Sequence, residues 1–125
     1  MDEPTPDDLA SHRLVSSRMV EGTPVFDAAG QKLGKVHSVM IDKVTGQVAY
    51  ALLSFSGLLY IGQYVHPLPW QKLTYDPTRH GYVVDVSPEQ LENAPTMALD
   101  RADRPHTMTE DEQVYAYYGL MWPAY

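Results

Sequence analysis

Five histidines, His12, His37, His66, His80 and His106, are the residues of this 125-residue chain best suited to acid–base or metal chemistry. A bound transition metal calls for imidazoles or thiolates at short, repeated spacing with carboxylates close by, and no pair of these histidines meets that pattern. Asp76 and His80 face each other across one turn, where a shared cation is conceivable, but Asp76-Pro-Thr-Arg-His-Gly81 reads more simply as a solvated turn. Asp42 and Asp85 stand where turns and helix caps use carboxylates as acceptors. Ser54, Ser56 and Ser87 lack the flanking glycines of a nucleophile elbow. Gly30-Gln-Lys-Leu-Gly34 lacks the Gly-Lys-Ser/Thr ending and following helix of a phosphate loop. The absence of cysteine excludes disulfides, iron–sulfur clusters, thiolate zinc and cysteine nucleophiles. The expectation is therefore a protein without catalytic residues, metal or cofactor.

What these residues do instead depends on the elements that carry them. From Val25 to Val86, short apolar runs alternate with turn chemistry about every ten residues, the pattern of a small all-β fold. Pro24-Val-Phe26 leads into a turn closed by Gly30. Lys35–Asp42 and Gln47–Phe55 read as a hairpin with Gly46 as its left-handed residue. Along the second hairpin strand, Val48, Tyr50 and Leu52 face one way and Ala49, Ala51, Leu53 and Phe55 the other. Both faces are apolar, so both must be covered, one by the interior and the other by an arm, a helix or a second subunit. Tyr64–Leu68 forms a strand whose Pro67 and Pro69 mark an edge or corner, and Leu73–Tyr75 pairs with Tyr82–Val84. The count comes to six strands.

Two helix starts follow. Ser87 caps a short helix, with Pro88 at its first position, Gln90 closing a capping box, and Val86 and Leu91 forming a hydrophobic staple. Thr109 and Glu112 form a second capping box, with carboxylates gathered at the positive end of the helix dipole. Beyond it Val114, Tyr117, Tyr118 and Met121 recur at helical spacing and Gly119 ends the helix, so the C-terminal arm is expected to be amphipathic.

Charge divides the chain in three. Residues 1–17 hold four acids and one base, residues 18–95 seven acids and six bases, and residues 96–125 five acids and two bases. An acidic arm expected to be mobile, a nearly neutral domain and an acidic C-terminal arm make up the net charge of −7. That sign disfavours direct nucleic-acid binding. There is no basic start followed by an apolar run, and no apolar stretch approaches the roughly 20 residues of a membrane span. A soluble, cytoplasmic protein is expected.

Residues 18–95 resemble the PRC-barrel domain, named for the cytoplasmic domain of the photosynthetic reaction-centre H subunit and shared with a ribosome-maturation factor. The resemblance rests on an ordered set: Gly22-Thr-Pro-Val-Phe-Asp27, Gly30-Gln-Lys-Leu-Gly-Lys-Val36, Met40-Ile-Asp42, Thr45-Gly-Gln-Val48, Gly62, Pro67-Leu-Pro-Trp70, Leu73-Thr-Tyr-Asp76, Val86-Ser-Pro-Glu-Gln-Leu91 and Ala94-Pro95. Tyr115-Ala-Tyr-Tyr-Gly119 resembles the ending of small stand-alone bacterial members. The resemblance implies a mainly β protein, a six-stranded SH3-like antiparallel β-barrel, acting as a bacterial adaptor or assembly module. Gly30, Gly34, Gly46 and Gly62 fall at its turns.

Apolar groups left over point to contact surfaces. Leu58, Leu59, Tyr60 and Ile61 lie between Gly57 and Gly62, where a monomer would expose them. With Val114, Tyr117, Tyr118, Met121 and Trp122 of the tail they form the candidate interface, expected to be that of a homodimer. Two other readings stand beside it. One is a ribosome-maturation-type factor binding a basic ribosomal protein. The other is a small-ligand site at the barrel mouth, with Tyr64 and Trp70 as its platform.

Overall fold

The computed structural model describes residues 13–55 and 64–122. The segment carrying Leu58, Leu59, Tyr60, Ile61 and Gly62 lies outside the described residues, as does most of the acidic N-terminal arm.

A short helix α1 (Ser17–Val20) leads into β1 (Pro24–Phe26), β2 (Lys32–Ile41), β3 (Val48–Phe55), β4 (Tyr64–Pro69), β5 (Leu73–Asp76) and β6 (Gly81–Val84). Then come α2 (Pro88–Glu92), a two-residue strand β7 (Met97–Ala98) and α3 (Met108–Tyr117). The strands form one seven-stranded sheet in the order β5-β6-β1-β2-β3-β4-β7. All neighbours are antiparallel except β1 and β6.

Here the sheet departs from the six-stranded closed barrel expected from the sequence. Among the described residues it has seven strands, and no ladder joins β5 to β7 to close it. The extra strand pairs only with Tyr64 and Val65. Two residues carry no periodicity of their own, so β7 exists through its partner. Its pairing stops short of Pro67, the first of two prolines that cannot donate to a ladder.

The sheet curls around a core to which all of its first six strands contribute. Val25, Val36, Leu53, Leu68 and Val84 are fully buried there, with Leu91 from α2 closing one end. Close approach of β2 and β3 depends on Gly34, where a Cβ would sit 2.0 Å from the Ser54 carbonyl oxygen. The hairpin closes as expected, with Gly46 at φ 80° and Asp42 Oδ1 accepting from the amides of Val44 and Thr45. The two-faced strand is β3. Ala51, Leu53 and Phe55 enter the core, while Tyr50 and Leu52 join a second cluster with Val65, Met97, Ala102, Val114 and Tyr115. The cover predicted for the second face is the C-terminal arm of the same chain.

Candidate functional site: the seat of the C-terminal helix

Thr107 caps α3, correcting the expectation that Thr109 would. The Thr107 hydroxyl accepts from the Glu110 amide at 3.1 Å, and the Glu110 carboxylate accepts from the Thr107 amide at 3.0 Å. Both Thr107-Met-Thr-Glu110 and Thr109-Glu-Asp-Glu112 satisfy the capping pattern. Tertiary contacts select the first: Glu110 also receives a two-pronged bond from Arg101, at 2.8 and 3.0 Å. Thr109 and Glu112 consequently lie within the helix. The Thr107 amide first, then Arg101, hold the Glu110 carboxyl down at about 2.

This start aims Asp111, Val114, Tyr115 and Tyr118 at the sheet, one stripe at helical spacing with a carboxylate as its first member. Val114, Tyr115 and Tyr118 are buried. The Tyr115 hydroxyl donates to the Ala49 carbonyl on β3, and the Tyr117 hydroxyl donates to the Gln90 carbonyl on α2. The helix ends in a Schellman turn: the Gly119 amide donates to Ala116 O at 3.0 Å and the Leu120 amide to Tyr115 O at 2.9 Å, with Gly119 at φ 74°. Trp122 folds back edge-on to Tyr115, ring centroids 4.7 Å apart.

Beneath the first turn, the Tyr50 hydroxyl of β3 donates to Asp111 Oδ1 at 2.7 Å and lies 2.7 Å from His106 Nδ1. His106 Nε2 lies 3.2 Å from the Arg101 carbonyl oxygen. Burial, reinforced by the Asp111 carboxylate, pushes the Tyr50 phenol far up, and burial pushes the Asp111 carboxyl up as well. Tyr50 is 1% exposed, so its hydroxyl is spent on these partners and does not face solvent.

The other sequence candidates separate. Tyr64 and Trp70 stand at opposite ends of β4 and do not form one platform; Trp70 packs edge-on against Tyr82, centroids 5.3 Å apart, beside the core. Met121 lies past the end of α3 and is 91% exposed, while Tyr115 fills the seat instead. Ser87 caps α2 by accepting from the Gln90 amide at 3.1 Å. Gly30, at φ 90°, lies under the Arg79 guanidinium. Asp76 accepts from the Thr78 amide and pairs with Arg79 at 3.8 Å, as a turn carboxylate does.

His66 is buried in the core, 3% exposed and edge-on to Phe55, and burial pushes its pKa down. Among the described residues no cluster of three or more histidine or carboxylate side chains is placed to hold a metal, and no helix is long and apolar enough to cross a membrane.

Sequence spacing did not bring Tyr50, Arg101, His106 and Asp111 together. The hydrogen bonds from Tyr50 span 56 and 61 positions, so no local pattern signals them.

A family model described as the PRC-barrel domain matches residues 13–91. Comparison with curated proteins gives no match.

Proposed function

Since the chain belongs to the PRC-barrel domain family, we propose that it is a non-catalytic interaction and assembly module that works as a homodimer. Family membership carries the first half of this reading, because the family's fold serves generally in interaction and assembly rather than catalysis.

The dimer half rests on the apolar run Leu58-Leu-Tyr-Ile61 between two glycines, a stretch that contact with a second copy would remove from water. Val114 and Tyr118 already pack against their own chain. The proposed dimer contact therefore centres on Leu58–Ile61, with Met121, 91% exposed, the most open of the described tail residues.

Light scattering on the intact chain tests the proposal. The expected mass is twice the 14.1 kDa of one chain, falling to that of one chain in Leu59→Asp. A 14.1 kDa particle at high concentration would overturn the dimer.

A further inference from the structure

Two surface features of opposite charge are left open by the fold. The first lies ahead of β1, where Leu14, Val15 and Met19 are 80%, 57% and 69% exposed. Arg13 and Arg18 stand exposed among them, and α1 contributes no buried residue. Among the described residues neither arginine pairs with a carboxylate; the ion pairs there are Arg79 with Asp76 and Arg101 with Glu110. Apolar side chains scattered singly over a surface need no explanation, but three large ones set between two unpaired cations make a short segment that is both apolar and basic.

The second feature is a hollow of about 450 Å³ beside the β4–β7 pairing, lined by Tyr64, Ala98, Leu99 and Asp100. Tyr64 and Leu99 are exposed there, and so is Asp100. Arg101, the next residue, is taken up by both Glu110 oxygens and does not neutralise Asp100. A phenol ring, a leucine and one carboxylate suit an apolar group that carries a cation. Arg18-Met19 has that chemistry, since a thioether packs well on an aromatic ring and a guanidinium pairs with a carboxylate.

We propose that residues 13–19 of one copy dock into the Tyr64–Leu99–Asp100 hollow of a second copy, Met19 against Tyr64 and Leu99 and Arg18 against Asp100. The contact presupposes the homodimer proposed above and adds a charged half to its apolar one. It forms between copies because each chain holds its own segment elsewhere. The Gly22 amide donates to Val36 O at 2.7 Å and the Val36 amide to Thr23 O at 2.9 Å, which ties the end of α1 to β2. In the sheet, β3 and β4 separate β2 from β7. In a two-fold dimer the same contact is made twice. Tyr64 also follows closely on Leu58–Ile61 in the chain, so the hollow continues the proposed dimer contact. Two copies of charge −7 repel one another, and setting base against acid offsets that repulsion while fixing the register of the pair.

Charge reversal in the full chain tests the contact, with the dimer dissociation constant read by sedimentation equilibrium. Both Arg18 and Asp100 are exposed, so the variants should melt as the native chain does. Arg18→Glu and Asp100→Arg are each expected to weaken the dimer by about tenfold or more in low salt, because a two-fold dimer loses the pair twice and gains two like-charge contacts. The double variant should recover most of that loss, and the native dimer should weaken as salt rises from about 50 mM to about 500 mM. Single variants that shift the constant by less than about twofold, or a double variant no tighter than the weaker single one, would overturn the contact while leaving the homodimer standing. A native chain that stays monomeric would overturn the homodimer and this contact with it. If an organic cation or an unrelated basic peptide fills the hollow instead, Asp100→Arg will self-associate as the native chain does, which also overturns the contact.

Discussion

At Tyr50 one hydroxyl serves two partners from a buried position on β3, so Tyr50→Phe removes the bridge between the sheet and the start of α3. The expected loss is about 1–3 kcal/mol, the range for stranding buried polar groups, read by urea denaturation. Gly34→Ala acts more severely. Its Cβ would meet the Ser54 backbone oxygen at 2.0 Å, and no side-chain rotation relieves a backbone clash. The cost should reach or exceed the about 3 kcal/mol at the upper end of ordinary overpacking, seen as loss of the cooperative melt. Glu110 and His66 make acid the weak side for two separate groups. The Glu110 carboxyl lies at about 2 against an ordinary 4.5, so its contribution is complete above 4.5 and fades as pH falls toward 2. In Glu110→Gln this part of the acid sensitivity should vanish from denaturation curves taken between about pH 5 and about pH 2. His66 is depressed below its ordinary 6.5, so stability also falls as acid forces a charge onto a buried ring.

Among the elements, β1 to β6 and α2 were legible in the sequence because each carries its own signal: the apolar run with two faces on β3, the Gly46 turn, and Ser87 with Pro88 at the start of α2. Helix α1 and strand β7 were not legible, and of α3 only the start was misplaced. In β7, Met97 and Ala98 form a strand only because Tyr64 and Val65 lie beside them. For α3, two overlapping Thr-x-x-Glu patterns compete, and the winner is chosen by Arg101 and Tyr50, which local spacing does not reveal. The site was less legible than the fold for the same reason. Val114, Tyr117 and Tyr118 show as a helical stripe, but Tyr115 replaces Met121 once Gly119 turns the chain away. Removing residues 106–125 should therefore expose the second face of β3. With Val114, Tyr115 and Tyr118 each worth about 1.5–3 kcal/mol on burial, the melting temperature should drop by on the order of 10 °C or more. An unchanged melting temperature would mean that the arm adds nothing to the fold.

For the whole molecule, the net charge of −7 takes on a narrower meaning. In the C-terminal arm Glu110 is bound to Arg101 and Thr107, and Asp111 is turned inward to Tyr50, so two of its five acids hold the helix in place. The molecule is a curled sheet with a core on one face and its own helix on the other. Whether that helix is a fixed part of the fold decides which apolar surface the molecule leaves open for the contact proposed above. The most direct measurement is native-state hydrogen exchange at about pH 6, comparing amides of α3 with those of β3. Docking as described predicts that Val114, Tyr115 and Tyr118 are protected by more than about a thousandfold and lose protection together in Tyr50→Phe. Exchange of these amides at the rate of an unstructured chain, while β3 remains protected, would contradict it.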